Sequence, residues 1–145
     1  MAAIISVIEF TPCALSVSEK LHTLITQELT KEGTATSSHI TLNFRDSSYS
    51  AENGGFHPVE IGLQRNGDGH FDILYITDFA FMGNYYPELE RSLDFDFGNQ
   101  VAFTIATGWQ SIQSPGIDDL YQLWERNFIS YVNMGAFDVV QINPQ

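Results

Sequence analysis

The sequence has little cysteine and no long apolar run. Cys13 is the only cysteine among 145 residues, so no disulfide can form within the chain, whereas small secreted domains usually carry several. The apolar start MAAIISVIEF has no Lys or Arg ahead of it, as a signal peptide would. No stretch approaches the roughly 20 apolar residues that cross a bilayer. These absences predict a soluble cytoplasmic protein that does not associate with membranes.

Basic residues are also scarce. Six Lys and Arg face 18 Asp and Glu, which leaves a formal net charge of −12. Nucleic acid and anionic membrane surfaces both require a basic face, so direct nucleic-acid binding is not expected. Most of the acidic excess falls in residues 46–97. It predicts a solvated, solubilising surface, with a docking surface for a basic partner or a divalent-cation site as the sharper alternatives.

Catalytic motifs are missing as well. There is no G-x-S-x-G elbow, no phosphate-binding glycine loop and no zinc spacing. Residues 66–77 have neither the glycine at the sixth position nor the glutamate at the twelfth position that a calcium-binding loop requires. Residue types of a hydrolase triad do occur, but on a polar loop and strands without such an elbow: Ser47, Ser48, Ser50, His57 and Asp78. We therefore expect no cofactor, and we favour a non-enzymatic protein without excluding an enzyme.

What the chain does have is a strong apolar pattern. Apolar residues make up 43% of the chain and aromatic residues 13%, enough for a sizeable core in one domain over residues 1–145. Helical spacing and two-residue alternation then divide the chain. The predicted parts are an N-terminal arm at 3–10, a helix from Ser16 or Ser18 to about 33, a sheet over about 40–107, a helix at 117–134 and a closing strand at 136–142.

This order of elements predicts an α+β fold. Short hairpin links, such as the turn NGDG at 66–69, favour a curved antiparallel sheet with the two main helices packed on one face. A cystatin-like or nuclear-transport-factor-like roll is one known architecture of this kind. The segment 70–82 is apolar on both faces, which predicts a central strand covered on both sides.

A polar loop and the strands after it hold the candidate binding residues. Loops carried by a rigid sheet often hold ligands, and the side chains suited to this role are Arg45, Asp46, Tyr49, His57, Glu60 and Asp78. The structural alternative is a loop fixed by turn glycines and by an ion pair of Arg45 with Asp46, Glu52 or Asp78.

Asp94 and Asp96 form a weaker candidate. Two residues apart on a strand, they share one face at about 7 Å, so they are possible ligands of a divalent ion, with Asp78 or Glu60 adding oxygens. Acidic residues that alternate with phenylalanine are also typical of an ordinary half-exposed strand. We therefore expect no metal site here.

Four segments carry a family resemblance: NFRDSSYSAENGGFHPVEI (43–61), YITDFAFMG (75–83), ELERSLDFDF (88–97) and LWERNFISYVNMGAFDV (123–139). Over residues 40–140 the chain resembles the bacterial family known as domain of unknown function 2787, found in marine gamma-proteobacteria. The resemblance implies a small soluble domain and supplies no catalytic residues. Family members often accompany mobile-element genes, which implies an accessory role.

Three functional hypotheses remain open. The preferred one is a non-enzymatic interaction or accessory module whose partner is an unknown protein or a second copy joined through the C-terminal strand. The second is a small-molecule-binding domain or minor enzyme, with a pocket between the sheet and the 117–134 helix near His57, Glu60 and Asp78. The third is an acidic mimic of nucleic acid that binds a basic partner.

Overall fold

The computed structural model describes residues 8–32 and 37–144. Two helices and seven strands follow in the order α1 (Glu19–Glu32), β1 (His39–Arg45), β2 (Val59–Arg65), β3 (Phe71–Met82), β4 (Glu88–Asp96), β5 (Val101–Thr104), β6 (Gly108–Ser111), α2 (Ile117–Asn133) and β7 (Val139–Pro144). Of the predicted N-terminal arm, residues 3–7 lie outside the described part, and Phe10 forms a parallel bridge to Phe71.

The strands form one open antiparallel sheet in the order β6-β5-β4-β3-β2-β1-β7. Successive hairpins build a meander from β1 to β6, and α2 then carries the chain back so that β7 pairs with β1 at the other edge. The predicted α+β fold, with a curved antiparallel sheet and two helices, is confirmed.

Both helices pack on one face of this sheet, in agreement with the prediction. Ser18 caps α1 by accepting the N–H of Leu21 at 3.2 Å, and Asp118 and Asp119 in the first turn of α2 favour its dipole. The rings of Phe44 on β1 and Phe128 on α2 meet edge-on at 5.1 Å. The buried stripes comprise Leu21, Leu24, Ile25 and Leu29 of α1 and Ile117, Tyr121, Trp124 and Phe128 of α2.

The start of α1 is fastened to α2 by two acidic side chains. Ser16 donates its N–H and its hydroxyl to the two oxygens of Asp118, at 2.7 and 2.8 Å. The Ser18 N–H donates to the buried carboxylate of Glu125 at 3.0 Å, and Tyr121 donates to the same oxygen at 2.7 Å. These bonds fix α2, which forms one wall of the site described below.

Three details differ from the predictions. β3 is central, but its outward side is only half-buried, because no helix in the described ranges 8–32 and 37–144 covers that face. The strand β6 was not predicted, because Trp109 is its one apolar residue and a single position shows no alternation. β7 begins at Val139 instead of 136, since Asp138 lies in the preceding loop and binds Ser47.

No helix in the described part of the chain has the length and apolar character needed to cross a membrane.

Candidate ligand-binding site

A cavity of about 310 Å³ lies between α2, the strands β2 and β3 and the loop that joins β1 to β2. Aromatic rings form most of its wall, and a few polar side chains enter it. The lining residues are Gly55, Phe56, His57, Val59, Asp78, Trp124, Asn127, Phe128, Tyr131 and Phe137. An apolar concavity with a few polar groups is the usual form of a small-molecule site, and this volume is at the lower end of the usual range.

His57 and Asp78 form the polar centre of this cavity. The Nδ1 atom of His57 lies 2.8 Å from Oδ1 of Asp78, with the histidine side chain 45% and the aspartate side chain 14% exposed. The hydrogen bond to Asp78 raises the pKa of His57, against a smaller opposing effect of burial. Because the carboxylate takes the Nδ1–H, the neutral imidazole has its free acceptor at Nε2.

Asp78 is held by donors from three parts of the chain. Besides His57, the hydroxyl of Ser92 on β4 donates to Oδ1 at 2.8 Å, and the indole N–H of Trp124 on α2 donates to Oδ2 at 3.0 Å. The β3–β4 register shifts next to Asp78, between Asp78 and Phe79. Such irregularities redirect side chains, frequently next to functional sites. The carboxylate is therefore fixed in place and orients the imidazole.

Asp46 organises the loop at the rim of the cavity. Its carboxylate accepts the N–H and hydroxyl of Ser48 at 3.0 and 2.6 Å and the N–H of Phe56 at 3.0 Å. The bond from the Ser48 hydroxyl is the main reason that the pKa of Asp46 is lowered. Gly55 has φ of +137°, and a Cβ there would lie 2.8 Å from Oδ2 of Asp46 and 2.9 Å from Cα of Tyr49. Only glycine fits this turn.

The same loop is joined to the segment before β7. Ser47 donates its N–H to Asp138 at 2.8 Å, and its hydroxyl donates to the other oxygen of the same carboxylate. The hydrogen bonds from Ser47 lower the pKa of Asp138. Phe137 next to this aspartate reaches the cavity wall, where its ring lies 5.7 Å from that of Phe128.

Tyr49 supports His57 from behind. Its ring lies 5.4 Å from that of His57 and 5.1 Å from that of Phe81. Its hydroxyl oxygen accepts the backbone N–H of Phe81 at 3.0 Å. Tyr49 thus connects the loop to the far end of β3 and limits the movement of the imidazole.

The six candidate residues separate into two groups. Asp46, Tyr49, His57 and Asp78 meet around the cavity or its loop, whereas Glu60 points to the opposite face of the sheet and accepts the hydroxyl of Tyr75 at 2.5 Å. Arg45 is exposed at the end of β1.

The expected ion pair of Arg45 is wrong. Among the residues described, Arg45 is paired with none of Asp46, Glu52 and Asp78. The carboxylate of Asp46 fixes the loop by accepting hydrogen bonds, so no cation is needed.

Asp94 and Asp96 have separate partners. Arg91 donates from Nε to Asp94 at 2.8 Å, whereas Asp96 accepts the backbone and side-chain amides of Asn99, both at 2.9 Å. Burial raises the pKa of Asp94, against the opposing effect of Arg91. Within residues 8–32 and 37–144, no three metal-binding side chains of His, Cys, Asp or Glu come together. Both aspartates serve as acceptors that stabilise local structure.

The serines of the loop do not complete a triad. Ser47 donates to Asp138, Ser48 donates to Asp46, and the hydroxyl of Ser50 accepts the N–H of Asn53. Ser92, which does reach the site, donates to Asp78 and not to His57.

Sequence reasoning missed several residues of the site. Trp124 lies in the predicted helix at 117–134 but was not assigned a role in the site, and the other missed contributors are Phe56, Ser92, Asn127, Tyr131 and Phe137. One signal was present in the sequence: a buried tryptophan needs an acceptor for its N–H, and Asp78 is the one acid within the apolar run 73–82.

The chain matches one family of known proteins. The family model described as "Protein of unknown function (DUF2787)" matches residues 19–143, which confirms the resemblance inferred from the sequence. Among curated proteins, none matches the chain.

Two solved structures from Vibrio cholerae are similar over nearly their whole length. The hypothetical protein VC0508 from the VSP-II pathogenicity island is 48% identical with a TM-score of 0.85, over 92% of this chain and 98% of the other. The conserved hypothetical protein VC1805 from the island VPI-2 is 47% identical with a TM-score of 0.84, over 92% and 99%. The second is described as sharing structural homology with the human P32 protein.

Proposed function

Because this chain belongs to the DUF2787 family of proteins of unknown function, we propose a function from the site itself: binding of a small organic ligand in the cavity that His57 and Asp78 line. One observation carries the proposal. His57 lines an aromatic cavity of about 310 Å³, its imidazole is oriented by a fixed carboxylate, and its second nitrogen has no hydrogen-bond partner among the described residues. We therefore place the small-molecule hypothesis ahead of the interaction module.

The arrangement favours binding over nucleophilic catalysis. A nucleophilic hydroxyl would have to lie within hydrogen-bonding reach of the imidazole. Of the serines near the site, Ser92 donates to Asp78 and Ser47 to Asp138, and neither donates to His57. We accordingly propose a non-enzymatic accessory protein.

The setting of the relatives supports an accessory role. Both similar structures come from pathogenicity islands of Vibrio cholerae. We propose a cytoplasmic location as well, for which the support is the single cysteine.

A fragment screen by ligand-observed NMR tests the binding proposal. Fragments that bind the intact protein should bind about tenfold more weakly to the His57→Gln variant, a loss of roughly 1.4 kcal/mol. His39→Gln is the matched control, since His39 is an exposed histidine on β1 that does not line the cavity and whose side chain contacts Ser38. The proposal would be contradicted by a screen that finds no binder, or by fragments that bind the His57→Gln variant as tightly as the parent.

The free edge of β7 favours a second candidate, a homodimer. β7 pairs with β1 on one side, and no described strand pairs with its other side. Exposed edges invite pairing with another chain. Sedimentation of a dilution series would show a dimer that dissociates, and Gln141→Lys, which adds an edge charge, should weaken it. A monomer at every concentration would contradict this candidate.

A further inference from the structure

The charged groups of the cavity point to the chemistry of its occupant. Among the described residues that line it, only Asp78 and His57 can carry a charge near neutral pH, and none is a lysine or an arginine. We propose that the occupant is a small organic ammonium ion with an apolar body. This inference rests on the proposed binding function and deepens it by naming the ligand class.

Charge balance distinguishes an ammonium ion from a carboxylate. Above the pKa of His57, where the imidazole is neutral, the cavity holds the negative charge of Asp78 and an acceptor at Nε2 of His57. An ammonium ligand supplies the matching positive charge and an N–H donor for that nitrogen. A carboxylate ligand would require protonated His57 and would still face Asp78, in a protein with a net charge of −12.

The aromatic walls add a second attraction for a cation. The cavity is lined by the aromatic side chains of Phe56, Trp124, Phe128, Tyr131 and Phe137. Ring faces attract cations, with tryptophan the strongest. The same rings provide the surface against which an apolar body packs, so an ammonium group on an aromatic or aliphatic stem satisfies both parts of the cavity.

The state of His57 then couples binding to pH. The titratable groups that face His57 or line its cavity are Asp78 from β3, Tyr49 from the loop and Tyr131 from α2. Protonation of Nε2 removes the acceptor and adds a positive charge beside the ligand. Ammonium binding should therefore tighten as pH rises through the pKa of His57, whereas carboxylate binding should weaken.

Calorimetric titration with three matched probes tests the inference: benzylamine, benzyl alcohol and benzoate. We expect benzylamine to bind about tenfold more tightly than the other two, a difference of roughly 1.4 kcal/mol. Its affinity should rise as pH increases above the ordinary histidine value of 6.5, because the pKa of His57 is raised from that value. His57→Gln should remove this pH dependence, whereas His39→Gln should leave it intact.

The outcomes separate the two proposals. Preference for benzoate or equal binding of benzyl alcohol overturns the ammonium inference but leaves ligand binding in place. The same holds if other fragments from the screen bind at His57 and benzylamine does not. Absence of any binder in the screen overturns both. Lysine amide acetylated at its α-amine, with the ε-ammonium free, serves as a fourth probe that distinguishes the source. Tighter binding than benzylamine indicates a lysine of a partner protein, and weaker binding indicates a free amine.

Discussion

Asp78 and Asp94 stand on neighbouring strands and are both largely buried, with side-chain exposures of 14% and 6%, yet they lie on opposite faces of the sheet. On the face that the helices cover, Asp78 accepts donors from His57, Ser92 and Trp124. On the other face, Asp94 accepts Arg91 from three residues away, and its Oδ1 has no hydrogen-bond partner among the described residues.

The difference lies in where the partners come from. The partners of Asp78 belong to the approach to β2, to β4 and to α2, so its environment exists only when these parts are assembled. The partner of Asp94 is supplied by its own strand. A fully satisfied carboxylate that orients a histidine is a preorganised site, whereas a partly satisfied one beside an arginine is a local structural feature.

Neutralising each aspartate provides the strongest test of this comparison. Asp78→Asn places an amide N–H₂ among three donors, so at least one of the His57, Ser92 and Trp124 donors loses its acceptor. We expect a loss of about 2–3 kcal/mol in the free energy of unfolding. Asp94→Asn removes a buried charge together with one bond from Arg91, and we expect a change within about 1 kcal/mol. Urea denaturation measures both, and equal losses would contradict the comparison.

Replacing a glycine on each side of the sheet, Gly55 beside the cavity and Gly62 on the outer face, gives a smaller difference in stability. Gly55→Ala requires a positive φ and brings Cβ against the backbone of Tyr49, so we expect a loss of about 2 kcal/mol and weaker ligand binding. Gly62 lies on the outer face under the ring of Tyr75, and the three atoms nearest an added Cβ all belong to that side chain and not to the backbone. Gly62→Ala should therefore lower stability by about 1 kcal/mol or less and leave binding unchanged. Thermal unfolding measures the stability of both variants and fragment titration measures their ligand binding; equal losses in the two variants would contradict the prediction.

The pH dependence of stability gives the smallest effect. The pKa values of Asp94 and His57 are both raised in the folded protein, so each contributes stability that is full below its unfolded pKa and is lost as pH rises through its folded pKa. The stability that Asp94 contributes begins to fall above pH 3.8, and the stability that His57 contributes begins to fall above pH 6.5.

The contribution of each group is isolated by the difference in unfolding free energy between the parent and the variant that lacks it, measured against pH. The stability of the parent relative to Asp94→Asn should fall as pH rises from 3.8, and relative to His57→Gln it should stay level until about 6.5 and then fall. Asp46, Asp118 and Asp138, whose pKa values are lowered, act in the opposite direction and cancel in these differences. A rise of either curve with pH would contradict the assigned shift.

Much of the fold could be predicted because its signals are local. The stripe from Leu21 to Leu29 lies in the predicted first helix, and the alternation of Ile40, Leu42 and Phe44 lies at the start of the predicted sheet; each reports one buried face. β6 was missed because Trp109 is its one apolar residue, which cannot establish a period.

The candidate site was predicted only in part. His57 and Asp78 were selected by residue type and do pair across 21 residues. The alternation of Val59, Glu60 and Ile61 already set Glu60 on the face away from the core, a signal that outweighs its suitability as a ligand. Trp124 is 46 residues from Asp78 along the chain, and no local sequence pattern predicts a contact over that separation.

The sequence by itself determined the fold class, the helices and most of the strands, because periodicity and turn residues act over a few positions. It also determined the acidic character of the chain and the absence of a disulfide. Only the tertiary structure decided which carboxylate would orient a histidine and which would pair with its own strand. That choice depends on how α2 lies across the sheet, since this brings Trp124 to Asp78 and closes an aromatic cavity beside His57.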